Sequence, residues 1–126
     1  MMATLNFLDF DFSEGADGTG TFDAMAAVSP QQLPALLAEV ATVLDWATAH
    51  FPEARAPLDE GGEWDFQLLS QQEWTADEGL DYDLSTRTFS RSPGAAGAPR
   101  HQLTLSVSGR VQFCEAFSGQ FNMATD

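Results

Sequence analysis

The chain has 126 residues, 44% of them hydrophobic, with 19 acidic and 5 basic side chains and a formal net charge of −14. This length suits one domain, and ten Phe with three Trp exclude the composition of a disordered chain. So strong a negative charge argues against nucleic acid or an anionic membrane as a direct partner. No apolar run nears the ~18 residues of a membrane span, and no basic region precedes an apolar stretch at the N-terminus. The single cysteine, Cys114, allows neither an intrachain disulfide nor a Cys-rich zinc site. A soluble, cytoplasmic, acidic domain is expected.

In chain order, Thr4–Phe12 (TLNFLDFDF) reads as a strand, with Leu8, Phe10 and Phe12 on one side and Asp9 and Asp11 on the other. The Gly- and Asp-rich stretch Glu14–Gly20 holds the turn pair Asp17-Gly18. Thr21–Val28 follows as a second strand, with Phe22, Ala24, Ala26 and Val28 alternating against Asp23, Met25 and Ala27. The two strands make a hairpin with a long loop.

The period then changes to three and four. Leu33, Leu36, Leu37, Val40, Val43, Leu44, Ala47 and Phe51 form a helical stripe, predicting one long helix over about 30–51. Ser29-Pro30-Gln31-Gln32 reads as a capping box, although Pro34 moves the regular helix toward itself. The outward side of this helix is rich in alanine: Ala35, Ala38, Ala41 and Ala49. Such a surface invites cover by the C-terminal segment or by a second copy, with Trp46 as the anchor.

Trp64–Leu69 and Leu80–Thr88 are two further strands, Leu80, Tyr82 and Leu84 alternating with Asp81, Asp83 and Ser85. Ser90–Arg100 (SRSPGAAGAPR) reads as a flexible loop at about 90–100. His101–Val107 is a clean strand. Val111–Phe117 reads either as its return strand or as a helix, and Phe113, Phe117 and Phe121 at four-residue steps favour the helix. The fold class is therefore α+β, a two-layer sandwich of about five antiparallel strands with the long helix and a C-terminal helix on one face, in the order β-β-α-β-β-β-α.

Charge is distributed unevenly. Residues 1–86 carry seventeen acidic side chains against Arg55 alone, whereas Arg87, Arg91, Arg100 and Arg110 lie in the last third, and there is no lysine. If every strand turns its apolar set to the helices, the pleat puts Asp9, Asp11, Asp23, Asp65, Asp81 and Asp83 on the opposite face, with Arg87 beside them. Aspartate is a poor strand former, so this repeated use runs against local propensity.

Catalytic chemistry has little to build on. Same-side aspartates on a strand stand ~6.8 Å apart, within the ~6.5–9.5 Å range of inverting glycosidases, but a wet face supplies no apolar pocket to raise a carboxyl pKa. Asp9–Gly20 opens like a calcium loop, yet Glu14 stands where a Gly is needed and Gly20 where a bidentate Glu is needed. Neither neighbour of Cys114 would lower its thiol pKa. No Gly-rich phosphate cradle is present. Small size, acidity and the lack of a catalytic set are shared by secretion chaperones, toxin-neutralising immunity proteins and nucleic-acid mimics, a resemblance of composition alone.

The reading is thus a non-enzymatic interaction module, of adaptor, chaperone or inhibitor type, without cofactor or metal site. It binds a basic protein partner through Asp9, Asp11, Asp23, Asp65, Asp81, Asp83, Arg87, Trp46 and Trp74, and it can form a homodimer. Two alternatives stand beside it. One is a small-molecule-binding or enzymatic domain, with a pocket between helix and sheet near His50, His101 or Tyr82. The other is a calcium- or magnesium-binding protein.

Overall fold

The computed structural model describes residues 5–15 and 17–121. Their elements run β1 (Asp11–Glu14), β2 (Gly20–Val28), α1 (Leu33–His50), a 3₁₀ turn (Leu58–Glu60), β3 (Trp64–Glu73), β4 (Ala76–Asp83), β5 (Thr88–Ala96), β6 (Arg100–Gly109) and α2 (Val111–Gln120). This is an α+β fold with antiparallel strands, as the periodicities require. Four strands form a sheet in the order β1-β2-β6-β3, and β4 pairs with β5 as a separate two-stranded ribbon.

Alternation builds the sheet. Phe22, Ala24, Ala26 and Val28 of β2 and Leu103, Leu105 and Val107 of β6 are buried, while Asp23, Met25 and Ala27 are exposed. The buried set meets Leu36, Val40, Val43 and Ala47 of α1 and Phe113, Cys114 and Phe117 of α2 in one core. Aromatic rings fill its centre: Phe22 stacks on Phe117 at 4.3 Å and Trp64 lies parallel to Phe113 at 5.5 Å. Gly109 permits that approach, since a Cβ there would overlap the Phe113 ring. The C-terminal segment is therefore a helix because Phe113, Phe117 and Phe121 must all point back into this core.

Local chemistry displaces several boundaries. β1 begins at Asp11 because the amides of Asn6, Phe7 and Leu8 donate to the Glu39 carboxylate of α1 rather than to a neighbouring strand. Leu8 and Phe10 are buried as expected, but Phe12 is half exposed beside Phe22; Thr4 lies outside the described residues. At the start of α1 one half of the capping box forms, Gln32 Oε1 accepting from the Ser29 amide and hydroxyl at 3.2 Å. The helix proper starts at Leu33, with Pro34 in its first turn where no intrahelical N–H is required.

The larger correction concerns residues 90–100. Most of that segment is strand, not loop: Ser90–Ala96 belongs to β5, and the chain between β5 and β6 is short. Pairing slips from Glu73↔Arg100 to Ala76↔Ala96 and again to Glu78↔Pro93, each slip giving the β5 side one extra residue. These bulges absorb Pro93 and the glycines. At Gly94 a Cβ would overlap the Asp77 carbonyl, so only glycine lets the strands close there. The outcome is a two-stranded β-ribbon that follows the β3–β6 pair in the chain, its eight-residue β4 about 25 Å long at ~3.4 Å per residue.

Candidate interaction surfaces

Both helices cover one side of the sheet, and among the described residues the other side is open. Backbone register decides what shares the open side. Asp11 and Asp23 are directly opposite each other on β1 and β2, and the same row continues through Ser106 to Gln67. Asp65 lies on this face one row on, since its register partner Ser108 is also that of Thr21. Thr104 stands there too. Like charges opposite one another on adjacent strands cost stability, so the Asp11–Asp23 pair is placed against the interest of the sheet. Ser106 Oγ donates to Asp23, relieving part of that cost. Asp65 is partly neutralised by Arg55, whose Nε lies 2.8 Å away and whose guanidinium sits 4.6 Å above the Phe66 ring.

The remaining expected residues separate. Asp9 is exposed in the segment before β1. Asp81 and Asp83 belong to the ribbon, on the side shared with Ser90 and Thr88. Arg87 is in the turn at the ribbon tip, in the left-handed backbone region at φ 57°. The turn is tied by Asp83, which accepts from the Ser85 hydroxyl at 2.7 Å and the Ser85 amide at 2.9 Å. Those bonds, the hydroxyl's foremost, hold the Asp83 carboxyl below its usual pKa. Trp74 is exposed where β3 passes into β4. Trp46 instead lies in the α1–α2 seam, edge-on to Phe113, Phe117 and Phe121 at 5.4–6.0 Å. The helix expected to need cover receives it on the Trp46 side, while Ala35, Ala38, Ala41 and Ala49 stay exposed.

Sequence periodicity alone left one surface unnoticed. The alternation of Leu80, Tyr82 and Leu84 implies a core-facing side, but on the ribbon no core lies opposite among the described residues. Leu80 and Tyr82 pair with Arg91 and Phe89, and the Tyr82 and Phe89 rings meet at 4.8 Å. Leu80 remains 63% exposed and Phe89 68% exposed, so among the described residues nothing packs over this apolar side of the ribbon. Ion pairing of Arg91 with Glu78 at 2.7 Å borders it. The available sequence signal was the cluster Pro93, Gly94 and Gly79, which marks bulges and close backbone approach as readily as a loop.

The other chemistries find no assembled site. His50 stacks on Trp46 at the last turn of α1, His101 pairs with Val28 and Gln72 in β6, and Tyr82 is out on the ribbon, so the three do not converge. Aromatic and aliphatic side chains occupy the space between helix and sheet. Cys114 is buried, and burial pushes its thiol pKa up, away from nucleophilic use. Among the described residues no three His, Cys, Asp or Glu side chains gather as a metal set, and no helix is long and apolar enough to cross a membrane. Comparison with protein-family models, with curated proteins and with solved structures found no match.

Proposed function

We propose that this protein is a non-enzymatic interaction module that binds a basic protein partner through its open sheet face. One observation carries the reading: Asp11 and Asp23 face each other across β1 and β2 on a side that no helix covers. A partner's lysine or arginine placed between them removes a repulsion that the free protein bears. The exposed apolar side of the ribbon offers the desolvated contact that charge alone does not supply, because charge complementarity chiefly speeds and selects the encounter. On this reading the protein is cytoplasmic, with neither nucleic acid nor membrane as its direct partner and with its own copy as a second one.

The test is affinity capture at low salt, comparing the wild type with an Asp11→Asn/Asp23→Asn variant. Basic proteins retained by the wild type, released at about 0.5 M salt as the Debye length falls toward a few ångström, and lost from the variant support the reading. Recovery of only neutral or acidic proteins, indifferent to salt and to the substitutions, overturns it.

A further inference from the structure

The open edge of the sheet carries a second surface, independent of the basic partner. β3 is one of the two terminal strands, and the longer, β1 at the other edge having four residues. At its start the Trp64 carbonyl accepts from the Ala56 amide on the outer side, while the preceding Glu63 carbonyl accepts from Arg110 beside β6. Backbone groups alternate along a strand, so the amides and carbonyls of Leu68, Ser70 and Gln72 also point outward. Among the described residues these groups have no hydrogen-bond partner. Long bare edges of this kind are templates for another strand, and proteins usually blunt them with charge, Pro or short length.

Past Asp65 the edge has little of this protection: from Phe66 to Gln72 (FQLLSQQ) it holds no charged side chain and no proline, in a chain of net charge −14. Leu68 and Leu69 lie 42% and 55% exposed on its two faces. A basic partner gains nothing from neutrality and finds carboxylates elsewhere. The occupant that needs a neutral edge is another equally acidic molecule.

We propose that two copies of this chain join edge to edge along β3, antiparallel about a two-fold axis at Ser70. The loop bearing Arg55 and Ala56 covers the edge at Trp64–Phe66, so the free stretch is Gln67–Glu73, whose centre is Ser70. In that register Ser70 meets Ser70 and Leu68 meets Gln72, each pair exchanging two backbone hydrogen bonds. Glu73 stands opposite Gln67, so no carboxylate of the free stretch faces another. The two four-stranded sheets become one of eight, and Asp11 and Asp23 on the far strands stay free.

The test is sedimentation velocity over a concentration series, on the full chain, with Ser70→Pro and Ser70→Glu variants. Proline is tolerated at this position of the monomer because the lost N–H points away from β6, yet it blocks pairing at the axis. Glutamate puts two like charges directly opposite each other. The wild type is expected to approach twice the 13.6 kDa chain mass as concentration rises. Both variants are expected to remain at the monomer mass with unaltered circular dichroism, and Asp11→Asn/Asp23→Asn to dimerise like the wild type. A wild type that stays monomeric throughout, or a dimer that survives both Ser70 substitutions, overturns the proposal.

Discussion

The amides of Asn6, Phe7 and Leu8 converge on the Glu39 carboxylate at 2.7–3.1 Å, three donors on one acid. This side chain substitutes for a strand partner and seats Leu8 and Phe10 over the core. Its role was not legible in the sequence, where Glu39 is one of few ionisable groups on an alanine-rich helix surface, because a contact over some thirty residues has no local signature. Removing the charge with Glu39→Gln weakens charge-assisted hydrogen bonds that contribute ~1.5–3 kcal/mol when buried and less when exposed. A loss of about 1–2 kcal/mol in urea unfolding is expected, with faster hydrogen exchange at Phe7 and Leu8 than at the β6 amides. Equal stability in the variant would mean that Leu8 and Phe10 hold the segment unaided. The core aromatics are the contrary case: Phe113, Phe117 and Phe121 announced their common side by spacing alone, since a period of four has one geometrical meaning in a helix.

Elements differ in how far local pattern determines them. α1 and α2 follow from stripes, and β2 and β6 from alternation that the core rewards at every second residue. Leu80, Tyr82 and Leu84 alternate just as cleanly, but two register slips lie between them and the sheet, and each shifts which side chains share a face. That is why Asp81 and Asp83 could not be assigned to the side of Asp65 by counting residues. A two-stranded ribbon is marginal in water by itself, so its tip depends on specific bonds. Asp83 is held below its ordinary value by the Ser85 hydroxyl and then by the Ser85 and Thr86 amides. A depressed folded-state pKa means that the stabilisation is present above the unfolded value and is lost as pH falls through the folded one. Ser85 and Thr86 amide resonances in an NMR titration are therefore expected to move only below the usual aspartate range. In Asp83→Asn they should lose this acid response. A transition at the ordinary aspartate value would show that the turn bonds do not favour the ionised form.

For the whole molecule the governing quantity is charge. The ribbon segment 73–100 holds five acids and three of the five arginines, so its net charge is only −2, and the remainder of the chain carries −12. Such self-repulsion destabilises the compact state and is screened by salt. Raising NaCl from about 10 mM to about 0.5 M is expected to raise Tm by roughly 3–6 °C, the shift that ~1 kcal/mol produces in a domain of this size. The check is a calorimetric scan at each salt concentration, and a flat or falling Tm would show that its ion pairs outweigh the repulsion.

By itself the sequence determined the fold class, the long helix, the inward set of the central strands and the acidity of the chain, and it favoured helix over strand at the C-terminus. Each of these depends on neighbours a few residues apart or on composition, which a linear reading contains. Tertiary structure decided that Asp11 opposes Asp23, that Trp46 lies between two helices, that the strands carrying Tyr82 and Phe89 leave the sheet, and that β3 ends it with a stretch unpaired among the described residues. Strand order, register slips and the end of a sheet arise from pairings between distant segments, and no local period encodes which segment comes to lie beside which.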